Sequence, residues 1–224
     1  MQESTTREKI LKSVRKALIH QSEAPGANFE SDKNLFASDV EKDPAIEFAE
    51  KLSAAGGTFV YCQDLLEFAE QFIIACNHYQ LSNIYSYEPA LQEFMKALEL
   101  PLSTESEHNV LLSTCDSLIT RSGSVCISVG SSGNSEKYIK ATVHAVIAGA
   151  NQLTPSIKEA IRKSKEINDQ KFPAALHIIS GPSKTSDIAM EKVTGVYTTH
   201  HLIVFLIDKE PDIKQFLIDI NHAK

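Results

Sequence analysis

Apolar residues recur along this chain at two alternating periods, one helical and one in short runs. Ile10, Val14, Ala17 and Leu18 fall at helical spacing with lysine and arginine opposite, which predicts an amphipathic helix over residues 5–20. Residues 21–43 lose the pattern to Pro, Gly, Ser and scattered charge and read as a linker. The first 20 residues are thus expected to form a helical arm, packed on its own domain or docked on a second subunit. From residue 44 to 224 the pattern predicts a continuous α/β domain. A helix starts at Pro44 and stops at Gly56-Gly57. Thr58–Cys62 reads as a strand, 64–79 as a helix with Leu65, Phe68, Phe72 and Ile73 on one stripe, and Asn83–Tyr87 as a strand. A helix over Glu88–Leu100 ends at Pro101.

The second half is richer in strands. Asp116–Thr120 and Ser124–Val129 flank an Arg121-Ser122-Gly123 turn, and Val143–Ala148 follows. Thr154 and Pro155 have the chemistry of a helix cap and first turn, for a helix reaching Asn168. Ala174–Ser180 and the near-continuous apolar run His201–Asp208 read as strands, the latter buried. A short helix is expected from about Asp187 and a last one around Asp212–Ile220. Helices alternating with short apolar strands imply an α/β class with a mostly parallel sheet.

Composition narrows the partners. The chain has 224 residues, enough for a substantial core. With 22 lysines and arginines against 29 acids, it carries a formal charge of −7, a poor match to nucleic acid or an anionic membrane. Cys62, Cys76, Cys115 and Cys126 form no C-x-x-C pair, so neither an iron–sulfur cluster nor a structural zinc is expected. In their apolar or helical contexts they read as reduced, packed thiols. The opening MQESTTREKILKSVRKAL is charged throughout and unlike a signal peptide, and no stretch suits a bilayer span. The expected location is cytoplasmic.

The segment Ser180-Gly181-Pro182-Ser183-Lys184-Thr185-Ser186-Asp187 is the most distinctive chemistry. It follows a strand and precedes an expected helix, a place where α/β proteins bind ligands. Gly181 allows close backbone approach, the hydroxyls and Lys184 add donors and a cation, and a helix start adds N–H groups for an anion. A Gly-Pro turn followed by a helix capped by Ser186 or Asp187 accounts for the same residues. No Walker loop, G-x-G-x-x-G or G-x-S-x-G occurs. The small polar stretch 130–135 reads as a hairpin tip. His144 lies in a strand of Val and Ala, as a core histidine does. Adjacent His200 and His201 would face opposite ways, and no two-histidine helical metal motif exists.

Three stretches resemble the lactate-utilisation (LUD) domain family in its stand-alone form. They are ISGPSKTSDI at 179–188, CDSLITRSGSVCIS at 115–128 and VTGVYTTHHLIVFLID at 193–208. The opening helix is also similar. The resemblance implies a three-layer α/β/α fold like that of ribose-phosphate isomerase, glucosamine-phosphate deaminase and the CoA transferases. It implies partnership with an iron–sulfur protein and a cysteine-rich subunit that oxidise L-lactate, with no cofactor on this chain itself. Matched positions are Gly123, Ser124, His144, Ser180, Gly181, Pro182, Ser183, Thr185, Asp187 and Ile188. Lys184 stands for the family's arginine, keeping the charge without the bidentate fork. Arg121 stands for a glutamate, Tyr197-Thr198-Thr199 for His-Gly-Pro, and Thr142 for a proline.

Two functions follow. The first is an accessory, non-redox protein of organic-acid oxidation that binds a small anion or a partner subunit through residues 180–187. The second is an isomerase, transferase or cyclo-ligase acting on a phosphorylated or CoA-linked substrate. Such enzymes need a carboxylate nucleophile or base. Asp116 and Asp187 are the carboxylates near the matched loops, which contain no glutamate.

Overall fold

The computed structural model describes residues 43–104, 109–129, 138, 141–186, 192–194, 199–208 and 211–223, with side chains for all but 184–186, 192–194 and 219–223. The expected arm and all but the last residue of the linker lie outside them. Asp43 begins the described chain as the cap of α1 (Pro44–Ala55): its carboxylate accepts from the Ala45 N–H at 2.8 Å. Gly56, at φ 92°, closes that helix by donating to carbonyls of the last turn. β1 (Thr58–Cys62) follows, then α2 (Leu65–His78), capped by Asp64 on two N–H groups. β2 (Ile84–Tyr85), α3 (Pro89–Ala97), β3 (Val110–Ser113), β4 (Ser117–Ile119), β5 (Ser124–Val129) and β6 (Val143–Gly149) continue the alternation. A 3-10 turn leads to β7 (Leu153–Thr154), α4 (Ile157–Ile167) and β8 (Ala175–Ile179). Short strands β9 (Lys184–Ser186) and β10 (Lys192–Thr194) precede β11 (His201–Ile207) and α5 (Ile213–Ala223).

The central sheet has the order β1-β11-β6-β3-β2 with every pair parallel. β6 and β11 pair along seven residues, His201 beside Val143 through Ile207 beside Gly149. Both read as mostly apolar runs, broken by His144 in β6 and opened by His201 in β11, because both of their faces are covered. On one face Val143, Ala145, Ile147, Ile203 and Phe205 pack on Phe68 and Phe72 of α2, Phe94 of α3 and Ile213 of α5. The Phe205 ring meets Phe68 and Phe72 edge-on at 5.1 and 5.9 Å. On the other face Val146, Ala148, Leu202, Val204 and Leu206 meet Phe48 and Leu52 of α1, and Leu118, Val125 and Ile127 of a second sheet. That sheet has the order β7-β4-β5-β8 and mixes parallel and antiparallel pairs. α4 covers its outer face, where Ala160 packs on Ile119 and Cys126. The arrangement is α/β/α, with the small sheet built into one outer layer.

Three local expectations change. The helix expected at Thr154-Pro155 begins at Ile157, because Ser156 accepts from the Glu159 N–H while Thr154 pairs in β7. Ile73 sits at the margin of α2; Ala69 and Cys76 complete the buried stripe with Phe68 and Phe72. The segment after Pro182 enters a strand, not a loop and helix start: β9 pairs antiparallel with β10, Lys184 opposite Thr194. The expected helix from Asp187 falls on residues 187–191, outside the described residues.

Candidate functional site

The β4–β5 turn and the Ser180 segment meet at the end of α1. Gly123 turns the chain at φ +61° and Gly181 at φ +74°, values that favour glycine. Space demands glycine too. A Cβ on Gly123 would lie 2.2 Å from the Leu52 amide nitrogen, and one on Gly181 2.6 Å from the Ala55 carbonyl oxygen. The two glycines seat the backbone of α1. Between them runs a line of hydroxyls: Ser122 Oγ to Ser124 Oγ at 2.7 Å, and Ser124 Oγ to Ser180 Oγ at 2.6 Å. Ser124 is buried, while Ser122 and Ser180, at the two ends, are exposed. Pro182 is buried, and the Ser183 N–H donates to the Thr199 carbonyl at 3.0 Å.

The structure therefore brings together Gly123, Ser124, Ser180, Gly181, Pro182 and Ser183. Lys184 and Thr185 continue from them in β9, where backbone groups join a strand ladder in place of the N–H nest of a helix start. Asp187, Ile188, Tyr197 and Thr198 lie outside the described residues, as does the 130–135 stretch. β8, which leads into Ser180, belongs to the mixed sheet and runs antiparallel to β5. The rule for carboxyl ends of a parallel sheet does not govern this segment.

His144 is not part of this cluster. It lies on β6, on the face turned toward the second sheet, fully buried, with Nε2 2.8 Å from Ser113 Oγ. Burial, with His177 adding to it, lowers its pKa to about 4 and keeps the ring neutral near pH 7. His177 pairs with Ile127 across β5–β8, on the same inner face. It stands three residues before Ser180, roughly 10 Å along the strand. The Tyr138 ring lies 6.4 Å from both imidazoles.

Two carboxylates stand near this second group. Glu88 precedes α3 and turns back to accept from the Thr114 N–H at 2.7 Å and the Thr114 hydroxyl at 2.8 Å. Burial raises its pKa, and the Thr114 bonds oppose the rise. Asp116 accepts from Ser164 Oγ of α4 at 2.6 Å and from Ser128 Oγ at 3.1 Å. The matched loops hold no glutamate, yet the fold carries Glu88 in from the α3 start. Glu88, Ser113, Tyr138 and His177 are what sequence reasoning missed. The sequence signal for His177 was present, a histidine in the apolar strand ALHII much like His144 in VHAVIA. Glu88 read only as a helix start.

Other chemistry is limited. All four cysteines are free and buried. Burial raises each thiol, Cys62 and Cys76 to about 11. His200 is exposed and His201 rests against the Tyr79 ring at 4.9 Å. Among the described residues, no three His, Cys, Asp or Glu side chains gather as a metal ion needs, and no helix is long and apolar enough to cross a membrane. A cleft of about 640 Å³ opens beyond the ends of β1 and β11, lined in part by Asp43, Glu47, Tyr61 and Asp208. Thr120, Leu206 and Asp208 of its lining belong to the resembling stretches, but it contains none of the matched site positions, and its carboxylates are wrong for an anion.

Comparison with known proteins agrees with this architecture. No curated protein matches the chain. The fold is similar to the crystal structure of a DUF162 family protein from Deinococcus radiodurans, with a TM-score of 0.53 and 12% identity, covering 73% of this chain and 96% of that one. At that identity the likeness speaks for the fold. The LUD domain model matches residues 40–207, from just before α1 to the end of β11. That span takes in both sheets, the serine row and His144, and the chain belongs to the LUD domain family.

Proposed function

We propose that this chain is a non-redox accessory protein of L-lactate or related organic-acid oxidation. It binds a small organic anion at the Ser122–Ser124–Ser180 row and the segment running on from it to Asp187. Membership of the LUD family implies a lactate-utilisation-associated role. In this reading the electron transfer belongs to iron–sulfur and cysteine-rich partner subunits.

The observation that carries the reading is the 2.6 Å contact between Ser124 and Ser180, side chains 56 residues apart. It joins two of the stretches that carry the family resemblance. Each hydroxyl has one hydrogen to give. Three in a line spend two of them on each other, and when Ser124 donates to one neighbour, that neighbour at the end of the row keeps its O–H for an outside acceptor. Both ends are exposed. A carboxylate or phosphate oxygen is the strongest acceptor for such a polarised chain. Lys184 supplies countercharge from the same segment.

Isothermal titration with L-lactate, pyruvate and inorganic phosphate tests this. Saturable binding of at least one anion is expected, weakened about tenfold by Ser180→Ala and by Lys184→Ala, the loss of one charge-assisted bond each. Absence of binding, or binding that both variants leave unchanged, overturns it.

A further inference from the structure

Away from the serine row, the space between the two sheets holds polar groups that the reading above does not use. Among the described residues, neither His144 Nδ1 nor His177 Nε2, both buried, has a hydrogen-bond partner. Their rings belong to facing sheets and are close enough for His177 to act on His144. An unpaired buried ring nitrogen is costly, and native folds keep few of them. Two of them beside one aromatic ring, Tyr138, mark a place where a ligand oxygen completes the pairing. His144 is fully buried, while His177 and Tyr138 are half-buried.

The surrounding charges select the ligand. Among the described residues, the charges that act on Tyr138 are Glu88 and Asp116, both negative. They repel an anion. A metal ion finds two imidazoles here but no third ligand among the described residues. Glu88 is already engaged by Thr114 through both of its oxygens. A neutral imidazole offers one N–H or one lone pair. A carbonyl oxygen accepts from the N–H, and a hydroxyl both accepts and donates, so an uncharged oxygen group satisfies either tautomer.

We propose that His144 and His177 form a second binding site, for a small uncharged carbonyl or hydroxyl compound whose oxygen bridges His144 Nδ1 and His177 Nε2 beside the Tyr138 ring. This site is independent of the serine row and takes ligands of a different charge.

Imidazole nitrogen NMR on the full chain labelled at histidine tests the proposal, with hydroxyacetone, L-lactate and zinc as separate titrants near neutral pH. Hydroxyacetone is expected to move the His144 Nδ1 and His177 Nε2 resonances together and saturably. His177→Leu, at a half-exposed position, is expected to weaken the His144 response about tenfold. Ser113→Ala changes the tautomer partner of His144 and is expected to alter its resonance while the hydroxyacetone response persists. No response to hydroxyacetone overturns the site. A response to zinc alone makes it a metal site, and an equal response to L-lactate makes it an acid site; either overturns the ligand class. None of these outcomes bears on the Ser180 titrations.

Discussion

Gly123 and Gly181 each combine a left-handed backbone with a helix packed where a side chain would begin. Either demand alone suits glycine; together they leave no alternative. Gly123→Ala and Gly181→Ala are each expected to lower the unfolding free energy by roughly 2–4 kcal/mol in urea titrations. A loss below about 1 kcal/mol would mean that α1 shifts freely away from the turns. The sequence made both glycines visible as motif positions, but their work for α1 was invisible there, since Leu52 and Ala55 lie far from them along the chain. His144 makes a second prediction at this scale. Its folded pKa of about 4 lies below the ordinary 6.5. The unfolded chain therefore binds the proton first as pH falls. Stability is full above pH 6.5 and declines toward pH 4, by about 3 kcal/mol in all. His201, also lowered by burial, adds in the same direction. Unfolding free energies across this window should fall less steeply in His144→Gln than in the parent chain. Parallel slopes would contradict the burial of a neutral ring. That His144 is a core histidine was legible from its apolar strand; that its second nitrogen has no partner among the described residues required the fold.

The strands β6 and β11 were legible as elements because continuous apolar runs need cover on both faces. Phe205 lies at the centre of that cover, against Phe68 and Phe72. Phe205→Ala is expected to cost about 3–5 kcal/mol, read as a lower urea midpoint with an unchanged slope. A changed slope would show that the core rearranges. β3 went unread. Its Val110–Ser113 run is only four residues long, and burial on both faces removes the alternation that marks a half-exposed strand. β9 and β10 were hidden for a different reason. Lys-Thr-Ser and Lys-Val-Thr carry no apolar period, and their pairing arises between the two segments. At the same scale Asp116 ties the second sheet to α4 through Ser164, which is fully buried. Asp116→Ala leaves that hydroxyl short of its acceptor and is expected to cost about 1–3 kcal/mol in the same titration. A neutral outcome would show that α4 is held by its apolar contacts alone.

Across the whole molecule the cysteines follow one rule. Each sits in the core with its thiol raised by burial, two of them to about 11, so the nucleophilic thiolate is scarce near neutral pH. A disulfide-exchange dye should react slowly with the native chain and with four thiols once it is unfolded in guanidinium. A thiol that reacts at once in the native state would place one of them in a site. Class and strand character were legible from the alternation of periods. The second sheet was not, since β4, β5 and β8 look locally like strands of any sheet and their antiparallel pairing is set by the β4–β5 turn. The Ser180–Asp187 segment was legible as candidate chemistry, while its meeting with the β4–β5 turn depended on a contact across 56 residues. That meeting supports the central claim, a small-acid site at the serine row. Its most direct test is a crystal structure of the chain soaked with L-lactate. A carboxylate oxygen is expected within hydrogen-bond distance of Ser122 Oγ or Ser180 Oγ, at an end of the row. Lactate ordered elsewhere, or a serine row contacted by water alone at saturating lactate, would contradict it.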